Sequence, residues 1–333
     1  MPNARKTAAP RGGIDLGGTK IEAIVVDSRH KVLGASRRPT PTTGGPAGVA
    51  EQMSEAVTEA AKGAGVEPSE LQGVGVGSPG VIDPATGSVS TARNLPDWEG
   101  TFPLAEELSK QLGTPVKVGN DVQVATDAEF RLGAGKPYDS ILGVFWGTGV
   151  GGGIILNGKP WLGRGGAGEI GHMVVVIDGR VCGCGRRGCM EAYAGRASME
   201  ARARRHVDKG GKTDLFKLMK ERGRDRLTSA IWAHALEHRD KLATKLIDEA
   251  IVALGAGIAS AVNLLDVEAV VIGGGLGVRF GDPFAKRIAD QMQPHLFNDK
   301  HPPDVHLAAL GDLGGALGAA LLARQPRPTA ARA

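Results

Sequence analysis

The sequence has little cysteine and no long apolar run, and each absence excludes a class of protein. It holds 3 cysteines among 333 residues, and an odd number argues against a disulfide scaffold and for a reducing interior. No uninterrupted apolar run approaches the roughly 18 residues that a membrane span needs. The first residues, MPNARKTAAPRGG, contain no apolar stretch, so they do not read as a signal peptide. We therefore expect a cytoplasmic protein that has no membrane partner.

Acidic residues are missing from both ends of the chain, and this accounts for the net charge of +4. The first acid is Asp15 and the last is Asp312. Six positive charges lie outside them: Arg5, Lys6, Arg11, Arg324, Arg327 and Arg332. Subtracting those six from +4 leaves −2 for the body of the chain. A nucleic-acid-binding surface needs a basic stripe on the folded body, so we expect no nucleic-acid partner.

Glycine is in excess, at 51 of 333 residues against a usual share of about 7%. The glycines lack the period of three that collagen has. G-x-G-x-x-G occurs at 75–80, 147–152, 163–168 and 183–188, but no match is followed by the helix and ribose-binding acid of a dinucleotide fold. The nearest fragment of a Walker A loop, Gly211-Lys212-Thr213, has His206 where that motif requires glycine.

The order of the predicted elements repeats within the chain. Residues 13–37 read as strand, glycine turn, strand, tight turn and strand, and residues 141–162 repeat that layout. Such internal similarity indicates a duplicated architecture, so we predict an α/β fold of two related domains with a cleft between them. The predicted segments are a disordered leader at 1–11, a smaller domain at 12–122 plus 312–324, a larger domain at 123–311 and a disordered tail at 325–333.

Two glycine turns take matching places in this repeat. Backbone N–H groups on a turn without Cβ atoms can surround a phosphate. Each turn alone is equally well an ordinary hairpin, but the pair suits the two ends of a triphosphate. A third glycine loop follows the apolar strand 269–272 and would offer a flat surface to a purine. The candidate ATP-binding residues are Asp15, Gly17, Gly18, Thr19 and Lys20; Gly147, Thr148 and Gly149 within the turn 147–153; and Gly273, Gly274 and Gly275.

These motifs together resemble a known family. DLGGTK, GTGVGGG, AGEIGH, CGCGRRGCME and VVIGGG occur in this order, as in the ROK sugar kinases, especially the ATP-dependent glucokinases among them. The similarity covers residues 12–323, and AGEIGH with CGCGRRGCME is its most specific part. It implies the duplicated actin-like, ribonuclease-H-like α/β fold, ATP as donor with Mg²⁺, and a homodimer or higher homo-oligomer.

One histidine and all the cysteines form a candidate metal site. His172, Cys182, Cys184 and Cys189 give the pattern H-x9-C-x-C-x4-C, and one imidazole with three thiolates is a complete tetrahedral zinc set. The alternative is a group of buried or redox cysteines. A closed coordination shell leaves no position for substrate, so we interpret the zinc as structural. The family resemblance implies the same four ligands.

Phosphoryl transfer to a hydroxyl needs a carboxylate that takes the proton and cations that stabilise the phosphates. Asp121 is the candidate base, although Asn-Asp before a helical pattern is also typical of a helix N-cap. The resemblance places the catalytic aspartate in this pair. Asp15 would orient Mg²⁺ through water or merely stabilise its turn, and Lys20 would steer phosphate or face solvent.

The resemblance also implies the residues that bind the sugar. Glu169 and Glu191 can each accept hydrogen bonds from two hydroxyls, although either could be a simple surface acid. The candidate substrate-binding residues are Gly80, Asn94, Asn120, Asp121, Glu169, His172 and Glu191.

The sequence therefore predicts an ATP-dependent hexose kinase that phosphorylates the 6-hydroxyl, with glucose as the first expected substrate. A kinase for fructose, mannose or an N-acetylhexosamine is the alternative within enzymes. A sugar-responsive regulator without enzymatic activity is the alternative from another class, but few residues precede Ile14 for the DNA-binding domain that it would need.

Overall fold

The computed structural model describes residues 9–92 and 95–323. Their strands are β1 Arg11–Leu16, β2 Lys20–Val26, β3 Val32–Pro39, β4 Val74–Ser78, β5 Val81–Ile82, β6 Val89–Ser90, β7 Thr101–Phe102, β8 Val116–Asn120, β9 Ile141–Trp146, β10 Val150–Leu156, β11 Lys159–Pro160, β12 Ala269–Gly273 and β13 Asp304–Leu307. Asn94, residues 1–8 of the predicted leader and the predicted tail at 325–333 lie outside the described residues.

The helices of these residues are α1 Gly45–Gly63, α2 Leu104–Leu112, α3 Asp121–Leu132, α4 Glu191–Ala194, α5 Arg196–Asp208, α6 Leu215–Glu221, α7 Ser229–Glu237, α8 Lys241–Leu265, α9 Gly274–Phe280, α10 Asp282–Met292 and α11 Gly314–Leu322. Short 3₁₀ helices span Pro68–Glu70, Ile170–His172, Gln293–His295 and Gly311–Leu313. Local signals explain several ends: α1 begins beside a proline, α2 ends at Gly113 in a left-handed conformation, and Asp240 caps α8.

The chain divides into two compact units, Met1–Arg131 with Leu162–Gly166 and Leu310–Ala333, and Leu132–Trp161 with Ala167–Ala309. The division predicted at 122/123 would separate α3 from the first unit. The structure keeps α3 there because α3 packs directly against α11. A Cβ added at Gly318 would lie 2.1 Å from the carbonyl oxygen of Val124.

Each unit contains a five-stranded sheet, and the two sheets share one topology. The first has the order β3-β2-β1-β4-β8 and the second the order β11-β10-β9-β12-β13. In both, the first three strands are antiparallel neighbours and the last three are parallel. The predicted duplication is therefore confirmed, and the carboxyl ends of the three parallel strands lie at the same end of each sheet. A small antiparallel sheet of β5, β6 and β7 accompanies the first unit.

The first sheet is covered by α1 on one face and by α11 on the other. The apolar stripe of α1, which includes Val49, Met53 and Val57, is buried. On the other face, α11 approaches so closely that a Cβ added at Gly75 would lie 1.7 Å from the carbonyl oxygen of Ala319. Some of the excess glycines, such as Gly13 and Gly75 against α11 and Gly34 against α1, therefore serve packing between a helix and a sheet and not only turns.

The second unit is built around α8. By length and composition this helix could cross a membrane, but 67% of its most apolar window is buried inside the structure. Leu246, Ile247, Leu254 and Ile258 are almost fully buried within one apolar cluster. Such burial is typical of the central helix of a globular core.

Three local expectations need correction. Arg11 is not part of a disordered leader: it is the first residue of β1, is 5% exposed and pairs in register with Val26. The second glycine turn is shorter than 147–153, because β10 begins at Val150. The third glycine loop is not a loop, because Gly273 ends β12 and Gly274 begins α9.

Candidate functional site

In the first unit, residues predicted for catalysis, for ATP binding and for sugar binding lie near one another at the carboxyl ends of the parallel strands. Asp15, near the end of β1, is the register partner of Gly77 in β4, and Asn120, at the end of β8, is the partner of Ser78. A Cβ added at Gly77 would lie 3.4 Å from the Cα of Asp121. Asp15 and Asp121 thus flank the backbone of Gly77.

The helix N-cap of α3 is Asn120 and not Asp121. The Asn120 Oδ1 accepts hydrogen bonds from the backbone N–H groups of Val122 and Gln123, each at 3.1 Å. This is the N-cap pattern. Asp121 is the first helical residue, and its Oδ1 lies 2.9 Å from the Val122 nitrogen. Helix capping therefore accounts for Asn120 in this pair. It does not account for Asp121, whose predicted role as a base stays a prediction.

The carboxylate of Asp15 lies in a space that exists because α11 has no side chain there. A Cβ added at Gly315 would lie 2.6 Å from the Asp15 Cγ. In the described part of the chain, no group donates a hydrogen bond to this carboxylate. Burial raises the pKa of Asp15 above its ordinary value, while Lys20 opposes the rise and Glu22 adds to it. A buried carboxylate without donors suits a cation or a polarised water.

In the first glycine turn, two carbonyl groups accept hydrogen bonds from one threonine. The Gly17 carbonyl accepts from the Thr40 hydroxyl at 2.6 Å, and the Thr19 carbonyl accepts from the Thr40 backbone N–H at 3.2 Å. Gly18 and Thr19, at the tip, are exposed. Occupied carbonyls and an accessible tip are what an anion-binding turn requires.

Lys20 is neither free nor simply solvated. Its Nζ lies 3.3 Å from the Oε2 of Glu22, which is 5% exposed, and the same oxygen accepts from Arg37 Nε at 2.5 Å. The buried glutamate therefore holds Lys20 at the start of β2. Neither Thr40 nor Glu22 was predicted to belong to the site. Both affect the turn through contacts made within the sheet, and no local sequence motif marks such a residue.

In the second unit, the amino end of α5 performs the role that Thr40 has in the first. The backbone N–H of Arg196 donates to the Gly147 carbonyl at 3.1 Å, and that of Ala197 donates to the Thr148 carbonyl at 3.0 Å. The turn begins where β9 ends, and the end of β9 is fixed by the buried indole of Trp146, whose Nε1 donates to the Ala194 carbonyl at 2.7 Å.

The segment Gly273–Gly275 lies next to this turn. β12 is parallel to β9, with Gly273 in register with Phe145. Gly274 has φ of +80°, and a Cβ there would lie 2.5 Å from the Trp146 carbonyl oxygen, so no other residue fits. A Cβ at Gly147 would lie 3.7 Å from the Gly275 nitrogen. The two predicted ATP-binding segments of this unit are therefore adjacent.

The side chains of His172, Cys182, Cys184 and Cys189 come together. All of their ligand atoms lie within 4.8 Å of one another. The Cys184 and Cys189 sulfurs are 3.8 Å apart, and the Cys182 sulfur is 3.9 Å from His172 Nδ1. Sulfurs about 2.3 Å from a tetrahedral zinc lie about 3.8 Å apart. These four residues could therefore hold a zinc ion without rearrangement.

Two acids flank this cluster. Glu191 Oε2 accepts from the Val150 backbone N–H at 2.9 Å, and its Oε1 lies 3.6 Å from the Cys182 sulfur. Glu169 Oε2 lies 3.8 Å from His172 Nε2, the ring nitrogen that faces away from the cysteines. Burial, with smaller effects from the side chains of Cys184 and Glu191, raises the pKa of Cys182 to about 12. A bound divalent cation would reverse that shift, because it favours the thiolate.

Glu191 also touches the second glycine turn, since a Cβ at Gly149 would lie 2.2 Å from its Oε2. It links the cysteine cluster to that turn. Of the other predicted sugar-binding residues, Gly80 lies just beyond β4 in the first unit with φ of +100°, and a Cβ there would lie 2.7 Å from the Ser90 carbonyl oxygen.

Comparisons with known proteins give a consistent result. The sequence model of the ROK family matches residues 11–326. A glucokinase of Streptomyces coelicolor is 35% identical over 95% of this chain and 98% of its own length. The crystal structure of a ROK family glucokinase from Streptomyces griseus, in complex with glucose and AMPPNP, is 34% identical with a TM-score of 0.80, covering 95% of this chain and 100% of that one. An N-acetylgalactosamine kinase of a Shewanella species is 33% identical over 93% of this chain and 95% of its own.

We expect that Asp15→Asn raises the free energy of unfolding at pH 7. The folded protein binds the Asp15 proton more tightly than the unfolded chain does, so wild-type stability falls as the pH rises through the raised pKa. Denaturant titration in the absence of Mg²⁺ should show the advantage of the variant shrinking as the pH falls toward the ordinary range of aspartate.

Asp27→Asn is the matched control. Backbone N–H groups of Lys31 and Arg29 lower the pKa of Asp27, so its charge stabilises the folded state and this variant should lose stability at pH 7. A destabilised Asp15→Asn would contradict the burial argument.

Proposed function

Because the chain belongs to the ROK family, we propose that it is an ATP-dependent hexose kinase that forms the hexose 6-phosphate, with glucose as its preferred substrate. Names of related proteins support this: the curated relative from Streptomyces coelicolor is a glucokinase, and the Streptomyces griseus glucokinase binds glucose and AMPPNP. The observation that carries the proposal is the placement of Asp15 and Asp121 on either side of Gly77 at the carboxyl edge of one sheet.

Asp121 is the proposed general base. The oxygen of the sugar 6-hydroxyl attacks the γ-phosphorus of ATP, and a new O–P bond forms while the bond to the β–γ bridging oxygen breaks. The proton of the hydroxyl passes to the Asp121 carboxylate, and ADP leaves. Asn120 caps α3 through its Oδ1 and so fixes the backbone that carries Asp121.

The two glycine turns are the proposed phosphate-binding segments, and Gly273–Gly275 is the proposed purine surface. Mg²⁺, which neutralises phosphate charge when bound, would be held at Asp15, whose carboxylate receives no hydrogen bond from the described residues. Lys20, held by Glu22, would add a positive charge beside the first turn.

We further propose a cytoplasmic homodimer or higher homo-oligomer without nucleic-acid or membrane partners.

The proposed sugar-binding residues are Gly80, Asn94, Asn120, Asp121, Glu169, His172 and Glu191. Glu169 and His172 are partly exposed beside the cysteine cluster. A zinc ion bound to the cluster would fix the His172 ring through Nδ1 and leave Nε2 beside Glu169. Its role is structural, since the three sulfurs and Nδ1 fill a tetrahedral shell.

A coupled kinase assay over glucose, mannose, fructose, N-acetylglucosamine and N-acetylgalactosamine tests the activity. We expect ATP-dependent turnover with the highest kcat/KM for glucose. The relative that is an N-acetylgalactosamine kinase makes an N-acetylhexosamine the second candidate, and a higher kcat/KM for such a sugar would select it. Polyphosphate replaces ATP in a parallel series. No turnover of any hexose with either donor would reject the proposed activity.

Asp121→Asn should reduce kcat by at least about a hundredfold, because general base catalysis contributes about 10²- to 10⁴-fold. The dissociation constant for glucose should change little, since the amide keeps the size and an acceptor oxygen of the carboxylate. Isothermal titration for binding and the coupled assay for turnover separate the two effects. The control is Asp127→Asn, on the same helix and ion-paired with Arg131, which should leave kcat near wild type. Near-normal turnover by Asp121→Asn would remove Asp121 from the mechanism.

Metal analysis of protein purified without added metal should give about one zinc per chain. Cys184→Ser should lose the zinc and lower the Tm, because a structural zinc contributes directly to folding stability. His301→Gln, which changes an exposed histidine outside the cluster, should keep both. Fully active wild-type protein without zinc would overturn this assignment.

A further inference from the structure

Arg196 points its guanidinium at the second glycine turn. It is the first residue of α5, and its Nη2 donates to the Thr148 hydroxyl at 2.7 Å. Its Nη1 donates to the Leu227 carbonyl at 2.6 Å. Two hydrogen bonds therefore fix the direction of a long and otherwise flexible side chain, in a position that no sequence motif marked.

This half-buried cation has no carboxylate bonded to it in the described part of the chain. Burial lowers the pKa of Arg196, and the neighbouring charge of Arg226 lowers it further. Glu200 offsets this lowering only in part. Its own oxygens accept from Arg204 Nε at 3.1 Å and from the Leu227 backbone N–H at 2.8 Å.

Holding a guanidinium in such a place is unfavourable unless an anion completes the arrangement. The turn next to it is suited to one, because the Gly147 and Thr148 carbonyls are already bonded to the backbone of α5. A neutral hexose cannot supply the missing charge, whereas the phosphates of a nucleoside di- or triphosphate can. Guanidinium groups also match phosphate geometry well, since they present several parallel donors.

We propose that Arg196 binds the phosphates of the donor nucleotide, with Thr148 held beside it as a second contact. This inference rests on the proposed function, because it takes the donor to be ATP. Arg196 contacts the donor directly, and its two hydrogen bonds to Thr148 and Leu227 serve to aim the guanidinium. The alternative is a purely structural arginine that joins the turn to the segment around Leu227.

Nucleotide binding by Arg196→Gln and Arg196→Lys distinguishes the two. Isothermal titration with ATP, ADP and adenosine should show ATP and ADP binding to Arg196→Gln weakened by about 10- to 100-fold, the value of a charge-assisted hydrogen bond. Adenosine affinity and the KM for hexose should stay within about twofold of wild type. Arg196→Lys should fall between, because it keeps the charge but loses the fork of donors.

Arg224→Gln is the matched control. Arg224 is exposed, lies near Arg226 in sequence and has no ion pair within residues 9–92 and 95–323, so its loss changes the net charge equally without touching the turn. ATP affinity of this variant should equal that of wild type.

Three results would overturn the inference: unchanged ATP affinity in Arg196→Gln, an equal loss for adenosine and ATP, or an equal loss in Arg224→Gln. If Arg196→Gln fails to fold, the same titrations are made with Arg196→Lys, and wild-type ATP affinity in that variant rejects the inference. Wild-type protein that neither binds ATP nor phosphorylates a hexose would reject the proposed function instead.

Discussion

Both the core and the candidate site depend on close contacts at glycines, where a Cβ atom would clash with the neighbouring segment. On one face of the first sheet, Gly75 lets α11 approach until the Ala319 carbonyl is nearly in contact with the strand. The same helix offers Gly315 to Asp15, so the packing that builds the core also encloses the carboxylate. In the second unit, Gly149 makes room for Glu191 in the same way. Interiors are close-packed, so a side chain at any of these glycines would displace its neighbours.

The carbonyl groups of the two glycine turns are hydrogen-bonded by different means. In each, neighbouring residues bond the carbonyl groups and so remove acceptors that would repel phosphate. A single threonine, Thr40, performs this in the first unit, and the amino end of α5 performs it in the second. Glu191 joins the second turn to the cysteine cluster, so an ion bound there would also stabilise that turn. The duplication therefore extends from the sheet topology to the hydrogen bonding of the turn carbonyls, although different residues donate those bonds.

Several expectations depended on what lay across the sheet and could not be read locally. Lys20 lies beside the buried Glu22, and this ion pair decides whether the Lys20 ammonium is available to a ligand. Arg11 looked like a charge on a loose end, yet it begins a central strand. The Asn-Asp pair predicted both a cap and a base, and only the hydrogen bonds of Oδ1 assign the cap to Asn120. Arg196 carried no signal, because its importance comes from Thr148 and Leu227, which are distant in sequence.

The sequence by itself determined the duplicated α/β architecture, the family and the four residues of the cysteine–histidine cluster. The architecture follows from hydrophobic periodicity and internal repetition, and the cluster follows from the spacing of ligand types. The family follows from the resemblance of motifs such as AGEIGH and CGCGRRGCME, which are likewise present along the chain. The tertiary structure alone decided the burial of Asp15, the occupied carbonyls of the turns and the direction of the Arg196 guanidinium. Those properties arise where segments separated by tens to hundreds of residues come into contact. Burial and hydrogen bonding at such contacts set the charge that each group presents to a ligand.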